Sequence, residues 1–235
     1  MNTQTSPTIY LALSGVGNVG KTTLCRYVLA LGSGASIATL ETHSASGDET
    51  DVLDRDGLAA RLFAPPQGGS ILDVGVGDCA AALEALTLVA RQDSHLAVRL
   101  RIVTPLLVDG KSVAGLRWLL AQLPESLRPC IRAIWNRVRA AEEAALKDSD
   151  IVRAARSVAR QGGARLCTPV LHESSLYDPI HALIRRYGSI EALAGLPDDE
   201  IRAAPLAEMS AMLAGRDAAQ TALADCRAVA AAIDE

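Results

Sequence analysis

Short apolar runs alternate with longer segments of helical spacing along most of this chain. The runs predict six strands, at residues 8–14, 36–41, 70–77, 98–105, 130–136 and 164–171. Helical spacing predicts helices at residues 21–32, 78–91 and 112–123, within 140–161, and at 178–187, where Asp178 is a cap and Pro179 the first helical residue. Strands that alternate with helices indicate βαβ units, and therefore a mainly parallel sheet covered by helices on both faces.

Two segments depart from this alternation. Residues 43–69 are polar, weakly helical near 54–63 and then rich in Pro and Gly, which predicts a long surface connection suited to a switch region. Residues 197–235 are rich in Ala and have helical spacing. We therefore predict a main domain of residues 1–196 and a helical C-terminal extension of residues 197–235, packed on or beside it.

The composition fits a reduced globular protein. Hydrophobic residues make up 49% of the 235 and aromatic residues only 3%, so the core must consist of Ala, Val, Leu and Ile. Five scattered cysteines without a C-x-x-C pair indicate buried thiols and argue against zinc. The N-terminus lacks the pattern of a signal peptide and no apolar run reaches about 18 residues, so we expect a cytoplasmic protein.

A glycine-rich stretch, SGVGNVGKTT at residues 14–23, joins the first predicted strand to the first predicted helix. It matches the phosphate-binding template G-x-x-x-x-G-K-[ST] in the structural context that the template requires. The glycines let the backbone approach phosphate, the Lys21 ammonium would reach the β- and γ-phosphates, and the Thr22 hydroxyl would bind Mg²⁺. The predicted nucleotide-binding residues of the loop are Gly15, Gly17, Asn18, Val19, Gly20, Lys21, Thr22 and Thr23.

A carboxylate at the end of the third predicted strand completes such a site. Asp73 follows Ile71 and Leu72, and it would hold Mg²⁺ directly or through a water molecule. Gly75 and Gly77 follow, in a turn whose backbone amides could contact the γ-phosphate.

The sequence lacks the aspartate with which many P-loop proteins bind guanine. Guanine-binding proteins use N-K-x-D, whereas this chain has Asn136-Arg137-Val138-Arg139 after the fifth predicted strand. Asn136 can still donate to and accept from adenine. We predict ATP over GTP, with Asn136 and Arg137 at the base; the alternative is that Asn136 merely ends a strand in a turn.

From residue 8 to about residue 187 the pattern resembles the ParA/MinD family of deviant P-loop ATPases. The resemblance is carried by the early glycine loop, Glu41, ILDVG (71–75), IVTP (102–105) and IWNRVR (134–139), and is greatest to the StbB-like and TraL-like proteins of plasmid stability and conjugative transfer. It implies a P-loop NTPase fold of three α/β/α layers, Mg²⁺-dependent ATP hydrolysis to ADP, an ATP-dependent homodimer, and a switch acting in plasmid partition.

Two departures from the family pattern affect catalysis. Val16 occupies the place of the signature lysine, which in the family reaches the phosphates of the dimer partner. Glu41-Thr42-His43 stands where D-x-D is usual. Hydrolysis would then rely on Glu41, His43 or Asp78 to activate water, or would need a partner protein to supply a cation; the alternative for His43 is a polar loop residue. The predicted catalytic residues are Lys21, Asp73, Glu41 and His43, and turnover should be slow.

Two other functions stay open at this stage. The chain could hold nucleotide without hydrolysing it, which the missing lysine and D-x-D favour. It could also be a P-loop small-molecule kinase, in which a helix carrying Arg153, Arg156 and Arg160 would close over the γ-phosphate.

The macromolecular partners are predicted from charge and family analogy. Residues 128–165 hold nine basic and four acidic residues, which would allow non-specific contact with DNA phosphates. A separate DNA-binding adaptor of a plasmid system is favoured by analogy. The tail ALADCRAVAAAIDE is acidic, so we predict no basic membrane-binding helix.

Overall fold

The computed structural model describes residues 7–30, 35–40, 51–138, 142, 143, 146, 149–172 and 180–235. The strands are β1 (Ile9–Ala12), β2 (Ser36–Leu40), β3 (Asp51–Val52), β4 (Ser70–Val74), β5 (Leu100–Leu106), β6 (Ile131–Val138) and β7 (Arg165–His172). The α-helices are α1 (Lys21–Leu24), α2 (Arg55–Phe63), α3 (Cys79–Gln92), α4 (Leu96–Arg99), α5 (Gly110–Gln122), α6 (Asp150–Gly162), α7 (Ile180–Tyr187), α8 (Ile190–Ala194), α9 (Asp198–Ala203) and α10 (Leu206–Asp234). A π-helical segment, Cys25–Leu29, continues α1.

The strands form one sheet in the order β3-β2-β4-β1-β5-β6-β7, and neighbouring strands run parallel. Helices cover both faces, so the predicted three-layer α/β/α arrangement with a parallel sheet is confirmed. The central strand β1 shows why its sequence is an unbroken apolar run. Ile9 and Leu11 belong to the core on one face, Tyr10 and Ala12 to the core on the other, and all four are buried.

The two faces are covered by different helices. One face carries α2, α3, α5 and α6, whose Leu and Val side chains fill its core. The opposite face carries α1, α8 and α10. Among the residues described, no helix is both long enough and apolar enough to cross a bilayer.

The buried face of the long helix α10 consists mostly of small residues. From Met212 to Ala232 the buried residues recur every three or four positions, as helical periodicity requires; they are Met212, Gly215, Ala219, Ala222, Cys226, Val229, Ala232 and, next to it, Ile233. Small side chains allow a helix to approach a sheet closely. The segment after residue 197 therefore contributes α10 to one of the two covering layers.

Some predicted boundaries are wrong. β3 lies within the predicted surface connection and pairs with β2 through Ala38 and Thr39, but two residues are too few to show an alternating pattern. The fourth predicted strand began at residue 98, whereas Val98 lies in α4 and β5 begins at Leu100. The predicted cap Asp178 lies outside the described residues.

Polar contacts join the end of α10 to the amino-terminal edge of the sheet. The Tyr10 hydroxyl donates to Asp234 Oδ1 at 2.6 Å, and Arg132 Nε donates to the Ile233 carbonyl at 3.2 Å. Arg165 pairs with Glu235 at 2.8 Å. Residues more than 200 positions apart in sequence are thus joined at one edge.

We expect Tyr10→Phe to lower the free energy of unfolding by about 1–2 kcal/mol, because it removes a partly buried hydrogen bond to a carboxylate. Urea unfolding of Tyr10→Phe, Asp234→Ala and the double variant forms a double-mutant cycle. A coupling energy near zero would show that this contact contributes nothing to stability.

All five cysteines are buried and unpaired with one another. Burial raises the pKa of each thiol, and that of Cys226 to about 12. Above about pH 8.5 unfolded thiols lose their protons while the buried ones keep them, so the unfolded state binds fewer protons and stability falls as pH rises.

We therefore expect the free energy of unfolding to fall between pH 8.5 and pH 10, by up to about 1.4 kcal/mol per pH unit for each thiol. Urea titrations at several pH values measure this slope. Cys226→Ala should have a shallower slope than the unsubstituted chain; equal slopes would contradict the assignment for this thiol.

Candidate functional site

The strand order places a crevice at the carboxyl ends of β1 and β4. β1 lies between β4 and β5. The connection from β1 to β2 passes over β4 in one direction along the sheet. The connection from β4 to β5 passes over β1 in the other direction. The two connections therefore diverge to opposite faces of the sheet, and such a divergence opens a crevice where ligands bind in parallel α/β folds.

A cavity of about 260 Å³ occupies this crevice. It is lined by Gly17, Asn18, Val19, Gly20, Lys21, Thr22, Thr39, Asp73, Val74, Gly75 and Val76. The predicted loop residues 17–22 and the predicted carboxylate Asp73 are thus brought together. Gly15 and Thr23 do not line the cavity.

The backbone of the glycine-rich loop offers donors to this cavity. Asn18 has φ 58° and Gly20 has φ 83°, so two residues of the loop adopt the left-handed region. Within the described part of the chain, the N–H groups of residues 17–20 donate to no protein acceptor, whereas the Val16 N–H donates to Ser14 Oγ at 3.2 Å. Backbone donors without protein partners around a cavity suit an anion.

Two opposite charges lie in the same cavity. Lys21, the first residue of α1, is 9% exposed, and Asp73, in β4, is 6% exposed. Both act on Cys25: burial raises the pKa of this thiol well above its usual range, the Asp73 carboxylate raises it further and the Lys21 ammonium lowers it. Thr39, which is aligned with Asp73 across the β2–β4 pair, adds a hydroxyl to the lining.

Cys79 connects the start of the loop to the turn after β4. Its single S–H is within reach of the Ser14 carbonyl, with the sulfur at 3.1 Å, and of the Gly75 carbonyl at 3.6 Å. One buried side chain therefore contacts both the start of the glycine-rich loop and the turn after β4.

The first half of the loop rests on α5. A Cβ added to Gly115 would lie 2.6 Å from Val16 Cγ2, and one added to Gly15 would lie 2.7 Å from the Trp118 ring. Val16 therefore packs against a helix of its own chain. The close approach requires glycine at both positions 15 and 115.

Asn136 has a contact that the sequence did not predict. It is 1% exposed, and its Nδ2 donates to the Val19 carbonyl at 2.7 Å. It does not line the cavity. Its predicted contact with adenine stays a prediction. Three other predicted residues receive no structural account, because Glu41, His43 and the side chain of Arg137 lie outside the described part.

The arginines of the kinase alternative lie away from the cavity. Arg153, Arg156 and Arg160 are exposed on α6, and none of them lines the crevice at β1 and β4. Arg153 pairs with Asp150 on the same helix.

A divalent cation here would need ligands from a bound phosphate. No group of three His, Cys, Asp or Glu side chains suited to a metal occurs among the residues described. Thr22 and Asp73 supply hydroxyl and carboxylate oxygens beside the loop donors, a set that fits Mg²⁺ completed by phosphate oxygens and water.

Comparisons with known proteins add no constraint. No family model matches the chain, and a search of curated proteins gives no significant match. The arguments for function therefore rest on the sequence and on the geometry of the site.

Sequence reasoning missed Thr39 and the supporting contacts of the loop. Thr39 is one of the last residues of an apolar strand, and the carboxyl ends of parallel strands share one edge, so its place in the lining could have been found. The Val16–Gly115 and Asn136–Val19 contacts join positions about 100 residues apart, and no local pattern marks them.

We expect Gly115→Ala to destabilise the chain by about 1 kcal/mol. Overlap with Val16 costs about 1–3 kcal/mol and outweighs the gain of about 0.5–1 kcal/mol from replacing a helical glycine. In a Val16→Ala background, which removes Cγ2, the same change should stabilise. Gly110→Ala, on the same helix with no atom within 4 Å of the new Cβ, is the matched control and should not destabilise. Urea unfolding measures all of these variants, and a destabilisation that persists without Val16 would contradict the contact.

Proposed function

We propose that the chain is an ATP-binding, slowly hydrolysing molecular switch whose nucleotide phosphates bind in the cavity at the carboxyl ends of β1 and β4. One observation carries this proposal. The loop donors without protein partners and the buried Lys21 ammonium converge on the cavity that also contains Asp73. This combination of a backbone nest, a cation and a carboxylate suits a Mg²⁺-bound polyphosphate.

Each residue of the site has a distinct part in the proposal. The amides of residues 17–20 and the Lys21 ammonium bind phosphate oxygens. Thr22 and Asp73 hold the metal, and Mg²⁺ when bound neutralises phosphate charge. Thr39, Gly75 and Val76 complete the lining of the cavity.

The adenine preference rests on the sequence. Arg139 takes the place of the aspartate that would pair with guanine. A P-loop NTPase fold is supported by the parallel sheet and by the position of the glycine-rich loop after β1, and is part of the proposal.

Slow turnover follows from Val16. Its side chain packs against Gly115 of the same chain, so this position offers no cation to a dimer partner. Phosphoryl transfer that lacks such a cation is slower by about 10³-fold or more. A partner protein that supplies a cation would then stimulate hydrolysis.

The biological setting rests on the resemblance to ParA/MinD-like proteins. We propose an ATP-dependent homodimer that acts in plasmid partition or conjugative transfer through a DNA-binding adaptor. Direct, non-specific contact with DNA has support in the exposed stripe of Arg153, Arg156 and Arg160 on α6.

We expect Lys21→Ala to lower the affinity for Mg-ATP by at least about tenfold, because the variant loses a charge-assisted contact to phosphate. It should also abolish the slow hydrolysis. Isothermal titration and steady-state phosphate release measure the two effects. Lys111→Ala, an exposed lysine on α5 outside the cavity lining, is the matched control and should behave like the unsubstituted chain.

The outcomes separate the open functions. ATP binding that depends on Lys21, with no decay of bound ATP in single turnover, would favour a module that holds nucleotide. Consumption of ATP only with a small acceptor would favour a kinase. Equal ATP affinity of Lys21→Ala and the unsubstituted chain would contradict the site.

A further inference from the structure

The glycine-rich loop accepts a hydrogen bond from a side chain of β6, which lies two strands from β1. Asn136 belongs to β6, which β5 separates from β1. Its amide nitrogen donates to the Val19 carbonyl at 2.7 Å, and the residue is 1% exposed. A buried hydrogen bond of this length is costly to leave unmade, so it restrains the carbonyl that it holds.

The restraint acts on the peptide between Val19 and Gly20. A trans peptide is planar, and its C=O and N–H point in opposite directions. With the Val19 oxygen held towards Asn136, the Gly20 N–H faces away from β6. Gly20 lines the cavity, Asn136 does not, and this N–H donates to no acceptor within the described residues.

The loop needs such a restraint because its backbone is unusual on both sides of Val19. Asn18 at φ 58° and Gly20 at φ 83° flank this residue. A strained backbone of this kind persists where surrounding contacts fix it. Rotation of the Val19–Gly20 peptide would relax the turn and remove a donor from the cavity.

We propose that Asn136 is a positioning residue that holds the Val19–Gly20 peptide with its N–H directed to the bound phosphates. This inference rests on the proposed function of the cavity. It gives Asn136 a role that is independent of the base, because the contact that carries it is made to the loop. Phosphate affinity therefore depends on the carboxyl end of β6.

Inorganic tripolyphosphate separates this role from base recognition, because it has phosphates but no base. We expect Asn136→Ala to weaken binding of both Mg-tripolyphosphate and Mg-ATP by a similar factor of about ten. A base-reading Asn136 would instead weaken ATP binding and leave tripolyphosphate binding unchanged. Isothermal titration of the full chain measures both affinities.

A matched control removes a similar buried bond at the strand that precedes the loop. Thr104 Oγ1 donates to the Leu13 carbonyl at 3.0 Å, and Thr104 is 1% exposed. Thr104→Val should lower stability, as Asn136→Ala does, and leave tripolyphosphate affinity within about twofold, because the Val19–Gly20 peptide keeps its restraint. Equal losses in both variants would show that general destabilisation is the cause, and would overturn the proposal.

Titration of Lys21→Ala with the same two ligands distinguishes failure of the proposed function from failure of the positioning role alone. If the unsubstituted chain binds neither ligand, the proposed function and this inference both fail. Suppose instead that the unsubstituted chain binds both ligands, that Lys21→Ala binds neither, and that Asn136→Ala binds both with unchanged affinity. Only the positioning role of Asn136 is then overturned. Should Asn136→Ala not fold, Asn136→Ser keeps a polar group in the buried site without the amide. The same parallel loss of both ligands is then expected, and unchanged tripolyphosphate affinity overturns the role.

Discussion

A parallel sheet covered on both faces has room for polar side chains mainly where its strands end, and this constraint organises the molecule. The buried polar residues among those described follow it closely. Most lie towards or just beyond the carboxyl ends of β1, β4, β5 and β6: Ser14, Lys21, Asp73, Asp78, Thr104, Ser112 and Asn136. Ser70 and Arg132 lie at the opposite edge. Buried polar groups generally require hydrogen-bond partners, so their concentration at one edge produces both the hydrogen bonds that hold the loop and the charges that face the cavity.

The loop is consequently supported on three sides by three different elements. Cys79 of α3 holds the Ser14 carbonyl, Gly115 of α5 receives the Val16 side chain, and Asn136 of β6 holds the Val19 carbonyl. Together these contacts fix a turn that exposes several N–H groups to one cavity, and preorganised donors of this kind bind an anion without further rearrangement.

The features that could be predicted from the sequence are those marked by residues close together in the chain. Apolar runs predicted β1, β2, β4, β5, β6 and β7. In most of these strands the run is continuous, because a strand buried on both faces cannot alternate with polar residues. Glycine spacing and the following Lys21 predicted the loop, since a tight phosphate-binding turn needs both within a few residues. The position of Asp73 followed from the same local logic.

The parts that could not be predicted depend on which distant elements meet. The strand order decides that β6 lies two strands from β1, and only then does Asn136 reach Val19. Likewise Val16, which as a sequence position marks only a missing lysine, becomes a packing residue because α5 passes beside the loop. One more property follows from that helix. The chain has two tryptophans; Trp135 is 4% exposed inside the core, while Trp118 is 42% exposed with its ring against Gly15. The solvent-accessible indole therefore adjoins the loop backbone, so that a change in the conformation of the glycine-rich turn would alter the surroundings of an intrinsic fluorophore.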